Sequence, residues 1–402
     1  AQVSLGYSMH YFAPDGCGWE GSGYTNYTLS YVTVLLEGLN NFFGDTLGMM
    51  DYPGFEGVGR SLAMTTGKEN NWTIHCEDTP VPYNTTQNMF FTKYYGDYTG
   101  QKLNIEQLYK NPAAMKLHSY LAMKYYLPGA PESTDYPEET DVLYTSSQLG
   151  FSRNAWGGKT KTVVGVHGGY NMDSGCQVDI GNFFYEYKGI VFADDPGIEN
   201  YAISYTTAYP ARAEGANVWV VNPDASYGQS LEGYGDLNMK ESKPDGVIYT
   251  LDLSSAYNGY VKSALRGYML SEDRTVFTVQ DEIKPFEGEN DFYWFWHTLA
   301  DITVNENSRS VSLARDGVVC KIYFDSNVDF TITKQDVLTS LPKSPVVEGQ
   351  NQMAHAVNMH KVVVNFQSSG EPIIFRATAV PFGKNIDRDT LTPISEWTIP
   401  DA

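Results

Sequence analysis

The stretch PGAPESTDYPEETD, residues 128–141, separates two different periodicities. It is rich in Pro, Glu and Asp, the composition of a linker between independently packed parts. Before it, apolar residues recur at helical spacing. Over 24–43 they fall at Tyr27, Leu29, Tyr31, Val32, Leu35, Leu36, Leu39 and Phe42, and Gly44 supplies a stop. Shorter helices are expected over 55–64, 88–95 and 112–126, the last opening on Pro112 and closed by Pro128-Gly129.

After the linker the runs are short and of β type: 161–167, 182–192, 217–221, 247–253, 261–270, 275–279 and 292–297. The series continues with 310–313, 318–324, 330–333, 361–366 and 373–380. Turn sequences such as Asp194-Asp195-Pro196-Gly197 and Arg315-Asp316-Gly317 separate them. No helix-length segment intervenes, so the strands have no crossover helices and must pair antiparallel, as in a large β-sandwich. The expected organisation is α+β multidomain: helices over 1–130, a linker over 131–145 and an antiparallel β-sandwich over 146–402.

Composition narrows the function. The chain has 402 residues, a formal charge of -21 and 30 tyrosines against 27 Lys plus Arg. That charge argues against nucleic-acid backbones and anionic membranes as partners. No window reaches the roughly 20 apolar residues of a membrane span. Cys17, Cys76, Cys176 and Cys320 form no CxxC pair, so neither a disulfide scaffold nor a cysteine zinc site is indicated. Nucleotide, P-loop, His-Glu-x-x-His and Gly-x-Ser-x-Gly signatures are absent.

Two segments concentrate polar and aromatic chemistry. Residues 15–27, DGCGWEGSGYTNY, form a glycine-rich loop leading into a helix. Trp19, Tyr24 and Tyr27 offer faces for sugar rings, Asp15 and Glu20 bind ring edges, and Tyr24 can serve as an acid or base. An ordinary aromatic helix cap explains the same residues. Residues 168–183, GGYNMDSGCQVDIGNF, feed a strand, with Asp173 and Asp179 as possible ligands near His167, Cys176 and Gln177. A turn with an Asx-type cap is the alternative there. His297 ends the aromatic run 292–296 and reads as a buried, hydrogen-bonded core histidine, with a ligand role as the alternative.

Taken in order, these segments resemble the heparinase II/III-like polysaccharide lyases. Residues 15–27 look like the motif of their α/α toroid, which places the catalytic tyrosine role on Tyr24. Arg153-Asn154-Ala155-Trp156 resembles their Arg-Ser-x-Trp segment, and residues 168–183 followed by Asp194–Gly197 resemble their strand motif and Asp-Pro-Gly turn. The resemblance implies a partial α/α toroid followed by a large antiparallel β-sandwich, and β-elimination on a uronate-containing polysaccharide. Tyr24, Glu20, His167 and Arg153 would be its catalytic residues. Trp19, Tyr27, Asp15, Tyr170 and Asn171 would bind an acidic polysaccharide or oligosaccharide. Asp179 and Asp195 would hold a possible divalent cation, and the location would be secreted or periplasmic.

The chain departs from the family where histidines are expected. Gly175 and Gln177 replace two, and Ala216 stands in place of a third. The family's toroid residue that neutralises the substrate carboxylate would lie tens of residues before Tyr24, so a divergent, N-terminally shortened relative is expected. A catalytically inactive carbohydrate-binding relative is the second expectation. A glycoside hydrolase on a similar frame is the third, and it would need two carboxylates facing across a cleft.

Overall fold

The computed structural model describes residues 2–67, 85–110, 119–125, 135–157, 161–171, 177–197, 209–224, 226–344, 358–384, 386, 388 and 390–400. The chain divides into two compact units, Ala1–Ser147 and Gln148–Ala402.

The first unit is helical. Its helices are α1 (Gln2–Met9), α2 (Ser22–Phe43), α3 (Val58–Met64), α4 (Thr85–Tyr95), α5 (Gln101–Lys110) and α6 (Ser119–Tyr125). Helix α4 packs against α2, α3, α5 and α6, because its apolar residues crowd into an aromatic cluster. Phe55 meets Phe12, Phe91 and Tyr95 edge-on or tilted at 5.3–6.1 Å between centroids, and Phe90 meets Tyr125 at 5.5 Å. Glu37 is the only charged residue of α2; it is buried and takes hydrogen bonds from Tyr94 (2.7 Å) and Lys124. Burial alone would raise its pKa; those two partners lower it instead.

Loop 12–18 lies on the turn before α3 with backbone against backbone. Gly54 has φ +83°, and a Cβ there would sit 2.1 Å from the Phe12 carbonyl oxygen. Gly16, at φ +86°, would collide with Gly57 at 2.3 Å. Only glycine permits both the conformation and the approach.

The stretch expected to be a linker is partly structured. It carries strand β1 (Asp141–Tyr144), and Thr145 and Ser146 beyond it are tied to Asp15. Of the expected helix 112–126, residues 119–125 are helical, and 111–118 lie outside the described residues. Helices α1 and α5 were not legible as periodic segments.

The second unit is the β-sandwich. Its strands are β2 (Leu149–Arg153), β3 (Thr162–His167), β4 (Gly169–Tyr170), β5 (Phe183–Tyr187), β6 (Ile190–Ala193), β7 (Trp219–Val221), β8 (Tyr234–Lys243) and β9 (Gly246–Asp252). There follow β10 (Val261–Ser271), β11 (Val276–Pro285), β12 (Asn290–Thr298), β13 (Asp301–Asn305), β14 (Ser310–Arg315) and β15 (Val318–Ser326). Strands β16 (Phe330–Asp336), β17 (His360–Ser368) and β18 (Ile373–Pro381) complete the set. The large sheet runs β13-β14-β15-β18-β11-β10-β9-β8-β4, a second runs β16-β17-β12-β7, and β2, β3, β5 and β6 are neighbours in a third.

The expected run 182–192 is two strands. Lys188 (φ 53°) and Gly189 (φ 72°) form a two-residue turn with both residues left-handed, which folds β5 back onto β6. Strand β8 escaped the sequence reading because only alternate residues near its start are buried and the rest of the strand is polar.

The core lies between the large sheet and β7–β12–β17. Trp294 meets Phe375 at 5.2 Å, and Phe366 stacks on Phe375 at 5.3 Å. Within this apolar region sits an ion pair. Arg266 and Asp281 are opposite each other on β10 and β11, both wholly buried and joined by two hydrogen bonds of 2.7 and 2.8 Å. Asp281 also accepts from the indoles of Trp294 (3.0 Å) and Trp219 (3.3 Å), while Arg266 donates to the carbonyls of Gly181 and Asn217. Burial alone would lower the Arg266 pKa, and the Asp281 charge and hydrogen bonds reverse that.

Removing one member would strand the other charge in the core. Arg266→Met is therefore expected to lower unfolding free energy by about 3–5 kcal/mol, read from urea denaturation. Adding Asp281→Leu should restore part of the loss; a single variant as stable as the parent would show that the pair does not hold the sheets.

Candidate functional site

In the helical unit the glycine-rich loop delivers its aromatic residues to the start of α2. Gly21, at φ 94°, turns the chain into the helix, and Tyr24 stands half-buried in the first turn. Tyr11 anchors the loop: its hydroxyl meets Thr25 Oγ1 at 3.1 Å and its ring packs edge-on against Trp19 at 4.8 Å. A side chain on Gly18 would strike the Tyr11 ring at 2.2 Å. Trp19 and Glu20 are half-buried on this loop, and Tyr27 is 61% exposed one turn after Tyr24.

Asp15 has a structural task. One of its oxygens accepts from the Thr145 backbone N–H (2.6 Å) and hydroxyl (3.1 Å), the other from Ser146 Oγ (3.0 Å). Its carboxylate ties the glycine-rich loop to the end of the unit, and Asp15 itself stays half-buried.

The sandwich candidates are mostly interior. Arg153 is wholly buried with its guanidinium 3.7 Å from the Trp156 ring centroid. In that position it cannot reach a substrate carboxylate. Asn171 is buried and donates to Gln229 Oε1 (3.1 Å) and the Ser230 carbonyl (2.8 Å), so it too is structural; Tyr170 beside it is half-buried.

His167, Asp179 and Asp195 do come together. His167 Nδ1 lies 3.5 Å from Asp179 Oδ1. Asn182 bridges the carboxylates, its amide donating to Asp195 Oδ2 at 2.6 Å and Asp179 Oδ2 at 3.3 Å. The other Asp195 oxygen accepts the Gly197 N–H at 2.7 Å, within the segment that the sequence reads as a turn. Gln177 turns its amide N–H to the Gly197 carbonyl at 3.1 Å.

A divalent cation needs several lone pairs converging on one point. Here the point between the two carboxylates is taken by an amide N–H, and Gln177 aims a donor elsewhere. Among the described residues no three His, Cys, Asp or Glu side chains are grouped to hold an ion. Asp179 Oδ1 and Gln177 Oε1 are buried acceptors without a hydrogen bond among the described residues. Asp173 and Cys176 lie outside the described residues.

A neighbouring buried chain went largely unread. The Asn217 side-chain oxygen accepts the His297 N–H at 2.6 Å, and His297 Nε2 meets the Tyr209 hydroxyl at 2.7 Å. Lys361 Nζ donates to the same hydroxyl at 3.1 Å and to the Thr339 carbonyl at 2.6 Å. Burial pushes the Lys361 ammonium down to about 8; burial, then the Lys361 charge, holds His297 neutral. His297 is thus the core histidine. The only signal in sequence was its place at the end of an aromatic strand; Tyr209 and Lys361 carried none.

No family model matches the sequence, and no curated protein matches it. Solved structures do. A heparinase III with methylated lysines is 14% identical over 95% of this chain and 54% of its own, with a TM-score of 0.63. A mutant of the heparan sulfate lyase HepC from Pedobacter heparinus gives 13%, 96%, 56% and 0.65. A further heparinase III gives 12%, 94%, 56% and 0.64. The chain thus spans about half the length of these proteins and has their fold: a partial α/α toroid with a large antiparallel β-sandwich.

The carboxylate pair sets a pH dependence. Burial first, and then the charge of Asp179, push the Asp195 carboxyl up to about 7 from 3.8. Between those values the folded chain keeps a proton that the unfolded chain has lost. The group's contribution to stability is full below about pH 4, falls as pH rises, and levels off above about pH 7. Urea midpoints measured from pH 4 to 8 should fall more steeply for the parent than for Asp195→Asn; parallel curves would contradict the raised value.

Proposed function

We propose that this protein is a polysaccharide lyase that cleaves a uronate-containing polysaccharide by β-elimination, with Tyr24 as its acid/base residue. The observation that carries the reading is the fold shared with heparinase III and heparan sulfate lyase structures along nearly the whole chain. Tyr24 adds the chemistry: a phenol in the first turn of α2, on a loop braced by Tyr11 and by glycine contacts.

In such a reaction a base takes the C5 proton, the C4–C5 double bond forms, and the C4–O bond breaks. The leaving oxygen takes a proton from an acid. Charge that builds on the uronate carboxylate needs a positioned donor. The Tyr24 hydroxyl is suited to the proton transfers, and Glu20, four residues earlier, to orienting it or the sugar. Arg153 is withdrawn into the core, so the donor to the carboxylate is not assigned to it. The reading carries with it an extracytoplasmic location, secreted or periplasmic.

One observation favours a second reading, a carbohydrate-binding relative without catalysis. Arg153 and His167, which the resemblance made catalytic, are both buried, and Gly175, Gln177 and Ala216 stand where the resemblance expects histidines.

Incubation with alginate, heparosan and related uronate polymers should raise the ultraviolet absorbance of an unsaturated uronate. Tyr24→Phe should slow that rise by about 10²-fold or more. An unchanged rate would remove Tyr24 from the mechanism, and no product from any uronate polymer would leave the binding reading.

A further inference from the structure

The large sheet carries a cleft of about 420 Å³ that neither the elimination chemistry nor the buried polar cluster uses. Small-molecule sites are commonly clefts of roughly 300–1,000 Å³. Phe375 of β18 packs into the core against Trp294, so Arg376 and Thr378, alternating beyond it, belong to the two faces in turn, and Thr378 shares the face of Arg376. On that outer face Met269, Thr278 and Thr378 stand in one row across β10, β11 and β18. Residues of the segment 390–400, among them Thr392, Glu396 and Trp397, border the cleft. This segment is anchored to the sheet. Lys240 Nζ donates to the carbonyls of Ile394, Ser395 and Trp397 at 2.8–3.0 Å, and Glu282 accepts the Ile394 N–H at 2.6 Å. The opposite rim is held in a costly shape. Glu272, Asp273 and Arg274 are three consecutive left-handed residues without a glycine. Arg274 donates to the carbonyls of Pro244, Lys243 and Gly246, and Lys384 donates to that of Glu272 at 2.8 Å, which fixes the turn. Strained backbone that its surroundings over-determine is a feature of ligand sites.

The lining chemistry is selective. Thr278 and Thr378 are buried at the floor, and the Thr278 hydroxyl donates to that of Thr378 at a long 3.4 Å. That bond uses one of the two hydroxyl protons and leaves the other for a ligand oxygen. The Trp397 indole N–H is spent on the Thr392 carbonyl at 3.1 Å, so the ring offers carbon to the cleft, as do Met269 and Val276. Glu272 and Glu396 are exposed at the rim. Carboxylates accept from the hydroxyls of a polyol and repel an anion. Among the described lining residues Arg376 is the one cation, and it is committed to Asp325 at 3.2 Å and to the Thr390 carbonyl at 2.7 Å. A uronate or a sulfate would therefore meet two carboxylates and no free guanidinium, and an organic cation would meet Arg376. An uncharged ring with hydroxyls at its edge and C–H groups on its face matches every wall.

We propose that this cleft binds an uncharged saccharide of one or two rings, hydrogen-bonded to Thr378 and Glu396 and packed on Trp397. The site goes beyond the lyase reading. It involves neither Tyr24 nor a uronate, and it stands whether or not the protein cleaves a polymer.

The test titrates the full chain calorimetrically with cellobiose, maltose and N,N′-diacetylchitobiose, and with glucuronic acid and glucosamine as charged counterparts. At least one neutral disaccharide should bind, and more tightly than either charged sugar. Thr378→Val removes the hydroxyl but keeps the shape and suits a strand, and Glu396→Gln changes an exposed group, so both variants should fold. Each should weaken the neutral sugar about three- to tenfold. Phe42→Ala, at 87% exposure in the helical unit, should leave it unchanged. Binding of no neutral sugar, tighter binding of a charged one, or equal affinity in both sandwich variants would overturn the site. So would binding that weakens in Tyr27→Ala and not in the sandwich variants, since the saccharide would then lie on α2. The lyase reading fails on a different measurement, the absence of unsaturated uronate.

Discussion

The buried pair of Arg266 and Asp281 constrains the sandwich more than any other contact. Two charges inside an aromatic core are tolerable only if every lone pair and proton finds a partner. The partners come from different places: indoles on β7 and β12, and carbonyls at Gly181 and Asn217. The pair therefore sets the position of the second sheet against the first. It also pins the two loop segments from which the polar cluster is built. Gly181 is adjacent to Asn182, and Asn217 bonds both Asn182 and His297. The cluster inherits its geometry from the core.

That inheritance explains why the cluster is amide-held. Once Asn182 and Asn217 are fixed, their side-chain N–H groups point at carboxylate and carbonyl oxygens: Asn182 at Asp179 and Asp195, Asn217 at the carbonyls of Phe183 and Asp194. An amide donor satisfies part of what a cation would otherwise have to neutralise, and burial raises the Asp195 pKa toward its neutral form. In the helical unit Tyr24 is half-buried, and Tyr27 and Tyr31 are exposed along α2.

Much of the fold was legible locally. Period-3.6 patterning gave α2 within two residues, and short β-branched and aromatic runs gave most strands, because burial on one face leaves a period in the sequence. The failures have local causes as well. Strand β8 is polar on most of its length, the turn at Lys188-Gly189 has no Asn or Asp to announce it, and β1 sits in a stretch whose composition reads as linker. The candidate site was less legible. Asp15, Arg153 and Asn171 are the right residue types for binding, but their partners lie from 58 to 131 residues away in sequence or, for Arg153, in a buried stack on Trp156. Residue type does not say whether a polar group faces solvent or the interior.

By itself the sequence determined the order of helical and β units, the glycine-rich entry to α2 and the lack of Lys and Arg before Arg60. These follow from composition and short-range period, which the chain carries without folding. Only the tertiary structure decided which polar residues are spent on holding the fold. Desolvation makes an unpaired buried charge or donor costly, so Asp15, Arg153, Asp195 and Lys361 are each paired or packed by distant segments. What is left for a ligand is the remainder of that pairing, and it can be read only after the chain has closed on itself.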